Sequence, residues 1–198
     1  MQNDDNTVRT LTTEEIEREL QRVRYKERYR RTLRSTVYVL VTVAAIAVLV
    51  ATLLLPVLQI YGDSMAPTLE DGQLIVSVKE ADFEAGDIVA FYYNNKILVK
   101  RVIANAGEWV DIDESGNVFV NGKLLEEPYI QEKALGECNI PLPYQVPEGK
   151  IFVMGDHRSV SIDSRHKSVE GVSQDQIVGK LVMRIWPLSE IEMINYKE

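Results

Sequence analysis

Residues 37–58 form an apolar and small-residue stretch without a single charge, and this stretch limits what the 198-residue chain can fold into. At about 1.5 Å per helical residue, positions 37–55 match the roughly 30 Å hydrocarbon core of a bilayer before Pro56 interrupts them. A cleavable signal sequence would need a shorter apolar region ending at a small-residue cleavage site, and the one Ala-x-Ala here, at Ala45 and Ala47, lies mid-run. The sequence therefore predicts three parts: a charged, partly helical arm over 1–35, a transmembrane helix over 36–58 and a separate domain over 59–198.

Charge orients the span. Seven basic residues crowd positions 22–34 against one acid, Glu27, whereas the first basic residue beyond the span is Lys79. Basic residues stay on the cytoplasmic side, so the arm is expected in the cytoplasm and residues 59–198 outside the cell membrane. Thr12 and Glu15 fit a capping box, and Ile16, Leu20 and Val23 recur at helical spacing, which predicts a helix running into the anchor. The basic arm offers charge to anionic lipid headgroups, although such runs also serve simply as solvated faces.

Residues 1–34 carry 9 basic and 7 acidic groups, which leaves a net −10 on the rest of a chain whose total is −8. An acidic domain without a basic stripe gives a phosphate backbone nothing to neutralise, so nucleic acid is excluded as a partner. Cys138 is the single cysteine, which rules out an internal disulfide and the C-x-x-C spacing of zinc and redox sites.

Residues 59–198 read as mostly strand, with β-branched and aromatic clusters cut by turn signals. Positions 73–78, 87–93 and 96–104 are expected as consecutive strands, 110–113 and 117–120 as a pair around Glu114-Ser115-Gly116. Asn121-Gly122 is a strong two-residue hairpin signal before 123–125. The segment 128–147, with four prolines and Gly136, is predicted to be a long surface excursion, after which 150–154 and 177–186 return as strands.

Three chemistries compete in this domain. Ser64 sits in Gly62-Asp63-Ser64-Met65-Ala66-Pro67-Thr68, a turn able to present a hydroxyl, yet serine beside Gly and Pro is usually just a turn residue. His157 and His166, with Asp156 or Asp163, allow a Ser-His-Asp triad or a metal site. Lys100 lies inside the strand pattern 97–103, where alternation puts it on the face of Leu98 and Val102 and turns Arg101 the other way. Apolar surroundings lower a lysine pKa and equip it as a general base, whereas a half-buried lysine that snorkels to solvent is the plain alternative.

Four motifs decide between them by resemblance. Gly-Asp-Ser-Met-Ala-Pro-Thr-Leu at 62–69, Gly-Asp-Ile-Val at 86–89, Val-Lys-Arg-Val at 99–102 and Gly-Asp-His-Arg-x-x-Ser-x-Asp-Ser-Arg at 155–165 resemble, in order and spacing, the bacterial type I signal peptidases. The likeness extends to Arg184-Ile185-Trp186-Pro187-Leu188. It implies a mainly β, coiled antiparallel sheet domain tethered by one N-terminal transmembrane helix, and a Ser-Lys dyad in which Ser64 is the nucleophile and Lys100 its base. It further implies that Ser161 orients the lysine amine, that Asp163 and Arg165 form a supporting ion pair, and that the Ser64 N–H faces the oxyanion. Asp156 is expected in the supporting shell, with Arg158 and Arg165 near it in sequence.

By the same resemblance, the substrates are signal peptides of exported preproteins, cut after small residues at positions −1 and −3, with no metal or organic cofactor. Ile60, Met65, Leu69, Leu98 and Val99 occupy positions resembling the lining of the substrate pockets, and an extended substrate would add a strand beside 96–99. Contact with the protein export machinery is an open expectation. Three residues depart from the family pattern: Gly62 stands where some relatives have an oxyanion serine, His157 replaces the usual Asn, and Val160 replaces an Asn. Gly62 is expected to help the oxyanion through its backbone or a water. A self-cleaving repressor shares this dyad but has no transmembrane span, and a catalytically silent membrane scaffold is the rival of a different class.

Overall fold

In the computed structural model, residues 12–79 and 82–194 are described. Arg9 and the other charges of positions 1–11 lie outside the described residues, as does the Glu15 side chain of the expected capping box; at that helix start, Ile16 N–H donates to Thr12 O. Two compact units divide the chain, one ending at Ala51 and the other beginning at Thr52.

The described part of the first unit belongs to α1, Thr13–Leu54, an unbroken helix of 42 residues that passes without interruption from the charged arm into the apolar run and ends three residues into the second unit. It is, among the described residues, the one helix long and apolar enough to cross a membrane. At about 1.5 Å per residue it exceeds a bilayer core about twofold, which leaves the basic stretch 22–34 outside any lipid the apolar part enters. The helix stops at Leu54 rather than continuing to 58, because Pro56 lacks an N–H and disfavours helical backbone at Leu55.

Beyond Pro56 the chain is strand. Its elements are β1 Val57–Gln59, β2 Leu74–Val78, β3 Ile88–Tyr93, β4 Lys96–Ala104, β5 Trp109–Ile112, β6 Val118–Val120, β7 Lys123–Leu124 and β8 Tyr144–Gln145. After these come β9 Lys150–Met154, β10 Val172–Ser173, β11 Ile177–Trp186 and β12 Glu192–Met193. A large sheet runs β1-β2-β11-β3-β4-β9-β10 with β12 on β11, and a small one runs β7-β6-β5-β8. Every pairing is antiparallel. The long strands agree with the apolar runs, and the Asn121-Gly122 turn carries positive φ at both residues, as a right-twisted two-residue hairpin requires.

β3 explains why its sequence reads as a nearly continuous apolar run. Ile88 and Ala90 enter one buried cluster with Ile60, Met65, Leu69, Ile75 and Leu181, while Val89 and Phe91 enter another with Val102, Ile151, Val153 and Val172. Both faces of the sheet are therefore covered. A third cluster joins β9 to the small sheet through Phe152, Met154, Val110 and Val118.

Two differences from the sequence reading matter. Positions 57–59, apolar enough to pass for anchor, pair with β2 from Val57↔Val76 to Gln59↔Leu74. The Pro-rich segment 128–147 is no mere excursion, since Ile140 and Val146 are buried in the third cluster and Cys138 packs against it. Prolines prevent regular structure, but they do not prevent burial of the apolar residues between them.

β11 crosses the middle of the large sheet, where Gly179 lies so close to β2 that an added Cβ would stand 2.6 Å from Val78 O. Gly179→Ala is expected to cost about 1–3 kcal/mol, because rigid backbone has to move. Thermal unfolding should show the melting temperature falling by several degrees.

Candidate active site

The turn 62–69 holds Ser64 in place by short-range bonds: Ala66 N–H donates to Asp63 O at 3.0 Å and Leu69 N–H to Met65 O at 2.9 Å. Met65 and Leu69 drop into the core and pin the turn to the sheet, while Ser64 stays half-buried at its surface. From the neighbouring strand β4, Lys100 brings its Nζ to 2.7 Å from Ser64 Oγ, with a second bond of 3.0 Å to Val99 O. The lysine is 2% exposed.

Burial lowers the Lys100 pKa from 10.5 to about 8; the Asp163 and Asp156 carboxylates pull it back upward and the Arg165 guanidinium pushes it down. A water-poor setting is the dominant cause, and it outweighs two nearby anions. Those anions are already occupied by arginines, which is why they do not hold the lysine proton more firmly.

Three buried ion pairs make up that support. Arg165 binds Asp163 (Nη2–Oδ2 2.8 Å, Nε–Oδ1 2.9 Å) and also donates to the carbonyls of Leu135 and Arg158. Burial pushes the Asp163 carboxyl up, but Arg165 and the Gly155 N–H together hold it below the usual carboxylate range. Asp156 is paired differently from expectation. Its partner is Arg101, through bonds of 2.9 and 2.6 Å, with Thr68 Oγ1 donating to it at 2.5 Å. Arg158 turns instead to Glu127, at 2.5 and 3.1 Å, and donates from Nε to Gly155 O. Arg101 also stacks on the Tyr129 ring at 3.9 Å.

Gly155 is where these supports meet. An added Cβ would come within 2.2 Å of Ser161 Oγ and 2.5 Å of Ser64 O, so only glycine lets the 155–165 loop approach the Ser64 turn this closely. Ser161 is buried there, but its Oγ has no hydrogen-bond partner and makes no bond to Lys100, contrary to the orienting role expected of it. Gly62 also differs, because its N–H is taken by Asp71 Oδ1 at 2.7 Å and is not available to an oxyanion. The Ser64 N–H makes no hydrogen bond among the described residues.

Neither histidine touches Ser64 Oγ. His157 Nδ1 lies 3.3 Å from Asp63 O, and His166 contacts Ser168 and Glu137 at the surface. The described residues include no cluster of three or more His, Cys, Asp or Glu that would hold a metal ion.

A groove of about 660 Å³ leads to Ser64 between residues 57–62 and 96–100. Ile60, Met65, Leu98 and Val99 line it, together with Val57, Leu58, Tyr61 and Ile97. Leu69 does not: it is 0% exposed and belongs to the core under the turn. β4 bonds to β3 along 96–101 but to β9 only from Arg101 onward, so 96–100 present a free strand edge to the groove. The groove residues missed by sequence reasoning, Val57, Leu58, Gln59 and Tyr61, were hidden by the apolar run before them. Arg101, Thr68 and Glu127 were missed because their partners lie 31 to 88 positions away.

A turn-held serine, a dehydrated lysine on it and an apolar groove with a free strand edge define a protease-like site. Residues 33–186 match the family described as signal peptidase, peptidase S26. Signal peptidase IB of Staphylococcus aureus strain COL is 39% identical over 154 residues, covering 67% of this chain and 78% of that one. Thylakoidal processing peptidase 1 of Arabidopsis thaliana is 33% identical over 152 residues, covering 68% of this chain and 43% of that one. A solved signal peptidase I from Enterococcus faecalis V583 aligns with a TM-score of 0.41 at 30% identity, over 50% of this chain and 96% of that one. The chain belongs to the signal peptidase family, peptidase S26, and is a serine endopeptidase of it. With the apolar N-terminal helix, it is a membrane-anchored enzyme.

Removing Lys100 and removing Asp156 are expected to act in opposite directions. The unfolded lysine keeps its proton to about pH 10.5 and the folded one only to about 8, so the cost of burying the ammonium is full below pH 8 and absent above 10.5. Lys100→Met should therefore stabilise by up to about 3 kcal/mol at neutral pH, a gain that vanishes as pH approaches 10.5. Asp156→Ala strands a buried Arg101 and should destabilise by about 3–5 kcal/mol. Thermal unfolding of wild type and both variants from pH 7 to 10.5 checks the sign of each.

Proposed function

We propose that this enzyme removes signal peptides from exported preproteins, using Ser64 as nucleophile and Lys100 as general base. The observation that carries the reading is the 2.7 Å contact of Lys100 Nζ with Ser64 Oγ, at the head of an apolar groove. At pH 7, with a pKa of about 8, roughly one lysine in ten is neutral and accepts the Ser64 proton. Ser64 Oγ then attacks the scissile carbonyl, and the Ser64 N–H faces the oxyanion that develops. The Lys100 ammonium passes its proton to the leaving amine. Hydrolysis repeats the sequence, with Lys100 taking a proton from the water that attacks the acyl-enzyme.

Specificity follows from a strand-like substrate on the free edge at 96–100. Main-chain bonds hold it, alternate side chains point into the groove, and the shallow apolar lining of Ile60, Met65, Leu98 and Val99 accepts small residues at −1 and −3. The basic stretch 22–34 keeps the N-terminus in the cytoplasm, so residues 59–198 work on the outer side, where the processed site of a preprotein emerges. Ser64 follows the helix end by only ten positions, so a substrate held in the same bilayer meets it without a search through bulk solvent. Export machinery on that face is a fitting neighbour.

The detergent-solubilised full chain is expected to cut a preprotein with an Ala-x-Ala site. Ser64→Ala and Lys100→Ala should each lower kcat by roughly ten-thousandfold, and a chelator should change nothing, since nucleophile and base are both side chains. Residual cutting by Lys100→Ala at more than a hundredth of the wild-type rate would remove the lysine from its role. Failure of wild type on several such preproteins would favour a silent scaffold.

The pH profile gives a separate check. Because only the neutral amine accepts a proton, kcat/KM should rise tenfold per pH unit below the Lys100 pKa and level off above about 8. An inflection near 6.5, the ordinary histidine range, would point to a different base.

A further inference from the structure

Of the residues around Ser64, His157 has no part in the dyad chemistry, yet it holds the nucleophile turn at two successive carbonyls. Its backbone N–H donates to Ser64 O at 3.1 Å, and its ring Nδ1 lies 3.3 Å from Asp63 O. Asp63 Oδ2 stands 3.8 Å from the same nitrogen. Facing a carbonyl oxygen, Nδ1 must carry the proton, since two acceptors do not bond.

The Asp63–Ser64 peptide is the unit that supplies the oxyanion donor. In a trans peptide the C=O and the following N–H point in opposite directions within one plane. Whatever grips Asp63 O therefore aims the Ser64 N–H. That N–H makes no hydrogen bond among the described residues, and the neighbouring Gly62 N–H is occupied by Asp71. Ala66 N–H takes one lone pair of Asp63 O from inside the turn, and His157 takes the other side from the 155–165 loop. The second grip ties the peptide to a loop fixed by buried ion pairs, which the turn alone does not provide.

We propose that His157 is a positioning residue for acyl transfer, which fixes the Asp63–Ser64 peptide plane through Nδ1–H···O=C so that the Ser64 N–H points at the developing oxyanion. The inference rests on the serine-nucleophile reading of Ser64. Because the effect is on the oxyanion, it operates in the tetrahedral state and hardly in the bound ground state. The ring is 40% exposed, so changing it leaves the core intact.

The test compares His157→Phe, which keeps bulk but loses the donor, with His157→Asn, whose side-chain amide can donate from near the Nδ1 position. On a signal-peptide substrate, His157→Phe should lower kcat by about ten- to a hundredfold with KM within twofold, since a misaimed donor loses much of its transition-state contact. His157→Asn should recover most of the rate. A peptide boronate, which forms a tetrahedral adduct on a nucleophilic serine, should bind His157→Phe more weakly by the same factor as kcat falls. Melting temperatures within a few degrees of wild type complete the expected result.

Equal losses in the Asn and Phe variants, a change confined to KM, or undiminished boronate affinity would overturn the inference while leaving wild-type cleavage and the dyad intact. If Ser64→Ala still cuts, or wild type binds no boronate, it is the underlying serine reading that fails.

Discussion

Keeping Lys100 almost dry is the constraint on which the site depends. A lysine in water holds its proton near pH 10.5 and is no base at neutrality, whereas here burial lowers that value to about 8. The sheet supplies the dryness: β3 pairs with β4 along Lys100, β9 joins β4 from Arg101 onward, and apolar clusters cover both faces of that region. The cost is a destabilised fold below pH 8, so the site holds a residue that stability alone would replace.

An ammonium with little water needs neighbours that do not simply neutralise it. Asp163 and Asp156 raise the lysine pKa, but each is committed to its own arginine, Arg165 and Arg101. A third pair, Arg158 with Glu127, holds the same loop from the residue just before the Pro-rich segment. Buried pairs of this kind add little net stability, because desolvation offsets their attraction, although breaking one is expensive. What they give here is geometry. They bring Gly155 against Ser64 O and fix His157 beside Asp63, so that a surface turn acquires the rigidity of the sheet beneath it.

The groove and the helix give this chemistry a direction. A strand edge left open at 96–100 is normally an aggregation hazard; here it lies beside the apolar groove that leads to Ser64, the setting on which the proposed binding of an extended peptide rests. The N-terminal helix anchors the enzyme to a membrane.

Much of this was readable in sequence. The apolar run at 37–55, the strand patterns at 87–93, 96–104, 150–154 and 177–186, and the Asn121-Gly122 turn all express local rules: chain length against bilayer thickness, side-chain alternation and backbone torsion. Four ordered motifs indicated the family and pointed to Ser64 and Lys100. Tertiary structure alone decided the rest. It gave Asp156 to Arg101 across 55 positions and Arg158 to Glu127 across 31. It also buried Leu69, made 57–59 a strand, occupied the Gly62 N–H and left Ser161 Oγ without a partner. The physical reason is that periodicity and turn chemistry depend on residues a few positions apart, whereas the choice among several arginines for one buried carboxylate depends on which strands lie side by side, and that is fixed only when the sheets pack.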